Sequence, residues 1–135
     1  MSVAEGLVAL LRASSSVTAL VGKRIYPMRL PKDTKLPAIA YQRIFTERVH
    51  SHQGYSNLEI PNFDVRCWGI DYTAAESLAD VVETALDGYQ GAIAGHEVYE
   101  ILVEGRFDLE HIDDTDPNSR ECAVVLSVSI AQKEA

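Results

Sequence analysis

Apolar positions recur along this chain with two different periods, and the switches between them mark out its elements. The clearest strand signal is near the end. Cys122, Val124, Leu126, Val128 and Ile130 alternate with Ala123, Ser127 and Ser129, the pattern of a sheet with one buried face. Phe63, Val65 and Cys67 alternate with Asp64, Arg66 and Trp68 in a strand expected over Pro61 to Ile70. Ala38 to Arg48 also reads as a strand, with Ile39, Tyr41 and Phe45 on one side and Gln42, Ile44 and Thr46 on the other. A further strand is expected over Glu97 to Ile112, with a bend or bulge at Gly105.

Helical periodicity is clearest at Leu78, Val81, Val82, Ala85 and Leu86. Thr73 and Glu76 are spaced as a capping box before them, and Gly88 stands where a helix-terminating glycine belongs. Ser2 and Glu5 have the same box spacing ahead of Val3, Leu7, Leu10 and Leu11, in a helix ended by Ser14, Ser15 and Ser16. Val17 to Leu20 reads as one more short helical turn before Gly22, and Lys23 to Pro27 as a short extended segment. Pro27, Pro31 and Pro37 make the next stretch a stiff irregular connection. Residues 49–58 are a polar exposed loop, 89–95 a Gly/Ala-rich link and 113–119 an Asp/Pro/Asn turn. The order is α-β-β-β-α-β-β. It predicts an α+β fold: a largely antiparallel sheet of four to five strands with two helices packed on one face, in a single domain over residues 1–135.

The chain is long enough to hold a core, since a domain of this size buries roughly 70% of its unfolded surface. Its net charge is −8, from 20 acidic and 12 basic residues. That balance argues against tight wrapping of nucleic acid, which needs a Lys/Arg-rich face. Solubility is the simplest reason for the charge, although an acidic wall would also repel phosphates and let a duplex slide past. Cys67 and Cys122 lie in strand-like runs with no CxxC pair, as expected of buried thiols in a reducing compartment. No apolar run approaches the ~20 residues of a membrane span, and the first residues do not read as a secretory signal. A protein kept in a cytosol until it joins something else is expected.

Catalytic motifs are missing: there is no GxSxG, P-loop, GxGxxG or HExxH. His50 and His52 would point the same way on an extended backbone and could share a metal, but no third ligand is evident and a solvated loop is favoured. Nor do His96 and His111 have a partner at useful spacing. Asp113, Asp114 and Asp116 lack the alternation, glycine and distal Glu of a calcium loop, and read as a turn. Trp68 should face away from Cys67, in line with Ile44 and Ile70. It either belongs to a covered face or subunit contact, or is a rim residue under the 49–58 loop. Arg24 could pair with an acid of this chain or a neighbour.

Several landmarks in sequence resemble the tail completion (tail terminator) family of siphophages. They are Leu7 to Leu11, Val17 to Gly22, Arg24-Ile25-Tyr26-Pro27, Leu36-Pro37-Ala38-Ile39, Phe63 to Trp68, and Ala74 through Gly88. Similar proteins occur in prophages and gene transfer agents. The resemblance implies a structural, non-enzymatic role without cofactor or metal: a ring, usually hexameric, that caps the tail tube and presents a joint to the head connector or stopper protein. Its expected partners are copies of itself, the tube protein and the connector, with DNA passing through the lumen without specific binding and no membrane involved. The family supplies no catalytic residues. Candidate interface residues come from the residues themselves: Arg48, His50, His52, Tyr55, Trp68, Asp113, Asp114 and Asp116, in the 47–58 and 113–119 segments and on the outer strand face. Exposed strand edges are the other candidates for docking.

Overall fold

The computed structural model describes residues 3–28, 30–31, 34–49, 58–93, 96–112 and 120–133. Its elements are α1 (Val3–Ala13), α2 (Ser15–Val21), β1 (Ile25–Pro27), β2 (Ala38–Val49), β3 (Leu58–Gly69), α3 (Tyr72–Leu86), β4 (Gly91–Ile93), β5 (His96–Ile112) and β6 (Arg120–Lys133). The strands form one sheet in the order β1-β2-β3-β6-β5-β4, antiparallel except for the β1–β2 pair. The α+β class and the mostly antiparallel sheet agree with expectation. Two three-residue edge strands bring the count to six: β1 lies in the segment read as extended, and β4 in the segment read as a link.

The serine run does more than end the first helix. Ser14 Oγ accepts the Val17 N–H at 3.5 Å, so it caps α2, which leaves α1 at 93° after a one-residue break. The bend lets Leu7 and Leu11 of α1 and Val17 and Val21 of α2 reach one core, where all four are fully buried. No single helix among the described residues is long and apolar enough to cross a membrane.

Helix α3 packs across β3 and β6, with Ala75, Leu78, Ala79, Val82 and Leu86 buried. Its cap is Asp71 and not Thr73: Asp71 Oδ1 accepts the Ala74 N–H at 2.8 Å. Thr73 is already inside the helix, so an Asp with extended backbone two residues earlier takes the capping role. Past the helix end, Gly88 has φ +80°, and its N–H donates to Ile101 O at 2.8 Å, tying the helix exit to β5. Beneath the helix start, Gly69 ends β3. A Cβ there would lie 2.4 Å from Ala75 N and 2.9 Å from Ala75 Cα, so only glycine lets strand and helix approach this closely.

The core face of the sheet is set by β3 and β6, where Phe63, Val65 and Cys67 pair with Val128, Leu126 and Val124. Ile39 and Tyr41 join them from β2. The expectation that Phe45 shares their side is overturned. The register shifts between Arg43 and Phe45, so Phe45 stands opposite Asn62 on the other face. One inserted residue reverses every side chain beyond it. A second shift, between Val103 and Gly105, matches the bulge expected there; a third lies between Val98 and Glu100.

Candidate functional site

All three helices lie on one face of the sheet, and among the described residues the other face is clothed by its own side chains. Ala38, Ala40, Ala123 and Val125 lie on it and are buried, at most 1% exposed. Small residues in the middle of a sheet let longer neighbours fold over them. Trp68, paired with Ala38 and Ala123, and Arg66, paired with Ala40 and Val125, are the neighbours in β3. Trp68 therefore faces away from Cys67, as alternation predicts, and is half-buried. It stands ten residues along β3 from Leu58, about 33 Å of strand. Arg66 Nε is buried with no hydrogen-bond partner among the described residues. Ser129, 4% exposed, donates its hydroxyl to Glu104 Oε1 at 2.8 Å.

Large apolar groups ring this patch. Leu102 (43% exposed) and Phe107 (49%) stand opposite Ser129 and Val125, and Phe45 is 57% exposed. Ile44, at the bulge, and Ile70, past the end of β3, are exposed too. The edges of the sheet are also open. β1 covers β2 only from Ile39 to Tyr41, and β4 covers β5 only from His96 to Val98. The α3–β4 connection covers a little more of β5: Ile101 N–H donates to Tyr89 O at 3.0 Å, and Val103 N–H to Asp87 Oδ1 at 3.1 Å. Beyond these contacts, residues 42–49 and 105–112 have no strand on their outer side among the described residues.

On the helix face the chemistry is structural. Arg106 reaches Asp80 at 2.8 Å, Glu83 at 3.3 Å and Glu76 at 3.9 Å, clasping β5 to three carboxylates on one side of α3. Burial pushes the Cys67 thiol up to about 12, partly offset by the Arg106 charge. Tyr72 OH donates to Asp108 at 3.1 Å, and that bond together with the Asp108 charge raises the phenol pKa. Arg43 lies over the Phe63 ring at 5.7 Å. Among the described residues Arg24 donates to the carbonyls of Pro37 (3.0 Å) and Leu20 (3.2 Å), tying α2 to the start of β2. An open groove of about 700 Å³ runs between α1 and β1, lined in part by Val8, Arg12, Ile25, Pro27 and Tyr41. Among the described residues no three His, Cys, Asp or Glu side chains are grouped to hold a metal.

Of the eight residues singled out in the sequence, only Trp68 has its side chain within this description. Arg48 lies on β2 with its side chain outside it, and His50, His52, Tyr55, Asp113, Asp114 and Asp116 lie outside the described residues. The open edges, Phe45, Leu102 and Phe107 were not singled out by residue. Alternation with Ile101 and Val103 could have flagged Leu102 as an outward apolar position, but the faces of Phe107 and Phe45 depend on the bulges at Val103/Gly105 and Arg43/Phe45.

A helix-free sheet face rimmed by exposed Phe45, Leu102 and Phe107, and two edges with no outer strand among the described residues, are suited to contact other protein. The model of the family "Tail completion protein gp17" matches residues 5–128. The chain belongs to this family. It is thus a phage tail structural protein, with its place in the virion tail. The fold agrees. A chain in the solved virion of a native gene transfer agent particle superposes with a TM-score of 0.70 at 15% identity, over 95% of this chain and 92% of that one. No curated protein matches the chain in sequence.

Proposed function

We propose that this tail completion protein works as a ring, six-fold by the family resemblance, that caps the tail tube, ends tube polymerisation and forms the joint to the head connector. The family match over residues 5–128 carries this reading. The helix-free sheet face and the edges left open among the described residues support it, because stopping a polymer requires self-association plus one surface that accepts the tube and another that refuses the next tube subunit. The role is architectural and not enzymatic, needs no cofactor, and is served by one domain over residues 1–135. Its partners are its own copies, the tube protein and the head-tail connector or stopper. DNA passes the lumen without specific binding, in keeping with a net charge of −8. Assembly takes place in the bacterial cytoplasm, for a phage, a prophage or a gene transfer agent; the particle holding the structural neighbour is of the last kind. The segments 47–58 and 113–119 are the proposed contacts to tube and head.

Electron microscopy of particles from cells with this gene alone disrupted tests the proposal. Overlong headless tails beside filled heads are the expected result. Tails of normal length that fail to attach would move the role to head-tail joining, as a stopper or adaptor. Complete, unchanged particles would refute both.

A further inference from the structure

The two open edges belong to opposite sides of one sheet. Residues 42–49 of β2 and 105–112 of β5 are separated by β3 and β6, so they cannot meet within one copy. Each offers eight residues, and neither segment contains proline. Charges on both edges and the bulge in β2 discourage indiscriminate pairing, but without proline the backbone groups can still accept a matching strand. The geometry points to a specific occupant: the β5 edge of one copy pairs with the β2 edge of the next, joining their sheets. This assignment rests on the ring reading above and says which surfaces build the ring.

Three observations favour a second copy over an unrelated strand. The first is direction. β2 is antiparallel to β3, β3 to β6 and β6 to β5, so β2 and β5 run oppositely. Copies set side by side in the same orientation therefore meet as an antiparallel pair, with their helix-free faces on the same side. The second is the match of side chains on each face. Phe45 and Phe107, both about half exposed, lie on the helix-free face of their respective edges. On the helix face the β2 edge carries Arg43 and the β5 edge carries Asp108, since these pair with Phe63 and Val124 of the core face. Joining the edges sets phenyl near phenyl and guanidinium near carboxylate. The sequence adds Arg48 to the first segment and Glu110 to the second.

The third is the stagger. Gly105, Ser127, Asp64 and Gln42 lie in one row across the sheet. From that row the β5 edge runs open toward one end and the β2 edge toward the other. Phe45 lies two rows to one side of that row and Phe107 two rows to the other, so setting them opposite displaces each copy along the strands by about four residues, roughly 13 Å. A step of this kind is what closing a sheet requires: strands tilt to the axis and register shifts steadily around it. Flush edges would call for no tilt.

Crosslinking in purified particles tests the pairing. The variants are Phe45→Cys, Phe107→Cys and the two together, treated with a thiol crosslinker about 10 Å long, which spans directly opposite and diagonal positions. Both sites are exposed, so the variants should fold. The double variant should give a ladder of dimers, trimers and higher species, and each single variant none. Particles that contain the chain but give no ladder in the double variant would overturn the pairing and leave the tail role standing. A ladder in either single variant would also overturn it. Purified particles lacking the chain would sink both readings. A charge swap checks the helix side. Arg43→Asp should lower particle titre about tenfold, and adding Asp108→Arg should restore it. A double swap no better than the single would count against the pairing.

Discussion

Gly69→Ala isolates the closest approach in the fold. The added methyl would stand 2.4 Å from the backbone nitrogen of Ala75, and that neighbour is not a flexible side chain. Reaching ordinary contact requires α3 to move by about 1 Å at its first turn, judged from a contact limit of 3.4 Å. The move falls on the Asp71 cap, whose carboxylate and carbonyl accept the N–H groups of Ala74 (2.8 Å) and Ala75 (3.1 Å). Overpacking costs about 1–3 kcal/mol and a weakened cap about 1 kcal/mol. Lower entropy of the unfolded chain returns roughly 0.4–1 kcal/mol. The net expectation is a loss of about 2 kcal/mol. With about 2.1 cal/mol/K per residue, 135 residues have an unfolding entropy near 0.28 kcal/mol/K, so Tm should fall by about 7 °C. Circular dichroism melts of wild type and variant provide the measurement. Gly105→Ala is the control: nothing lies within 4 Å of its Cβ position, and its melting temperature should stay within about 2 °C. A Gly69→Ala protein that melts with the wild type would refute the argument from contact.

Other expectations follow from the core and the sheet. Phe63→Ala, at a side chain 1% exposed in the centre of β3, should cost about 3–5 kcal/mol in urea unfolding. Cys67 should resist iodoacetamide at pH 8 in the folded protein and react on denaturation, as peptide mass spectrometry would show. Its folded pKa of about 12 lies above the ordinary 9.0, so its contribution is intact below pH 9 and declines as pH rises toward 12, because only the unfolded chain ionises there. The decline is about 1.4 kcal/mol per pH unit, and Cys67→Ala should remove it from a pH series of melts. Arg106→Met should lower stability by about 1 kcal/mol at low salt and less at high salt, since its three carboxylate partners are solvent-exposed. Deleting residues 50–56 should leave the melting temperature close to wild type while blocking particle assembly; normal infectious particles would refute that segment's role.

Alternation in β3 and β6 and the periodicity of α3 were legible because each buries one face along its length, and burial writes its period into the residues. The outward direction of Trp68 followed from Cys67 alone. Phe45 was misplaced for a physical reason: a bulge leaves no local mark when the inserted residue, here Ile44, is itself apolar. β4 was hidden because three residues are too few to show a period, whereas β1 fell within the extended segment read at Lys23 to Pro27. Thr73 and Glu76 looked like a cap because the spacing is right, yet Asp71 competes for the role and stands two residues nearer the strand. Glu76, Asp80 and Glu83 do mark one side of a helix in sequence, but their common partner Arg106 comes from a strand that only the topology brings alongside. Sheet edges are a property of strand order, which no local pattern records.

That strand order bears on how the chain is made. β6 is the last of the described strands in sequence, yet it lies between β3 and β5 in the middle of the sheet. As synthesis proceeds, β1, β2 and β3 can assemble early, and β4 and β5 can pair, but the two halves have no seam until residues 120–133 arrive. Until then both inner edges stay open, and a product cut short before β6 holds two partial sheets in place of one. A chain that stops before residue 120 cannot close this sheet, so truncated copies of that kind are expected to be absent from the particle.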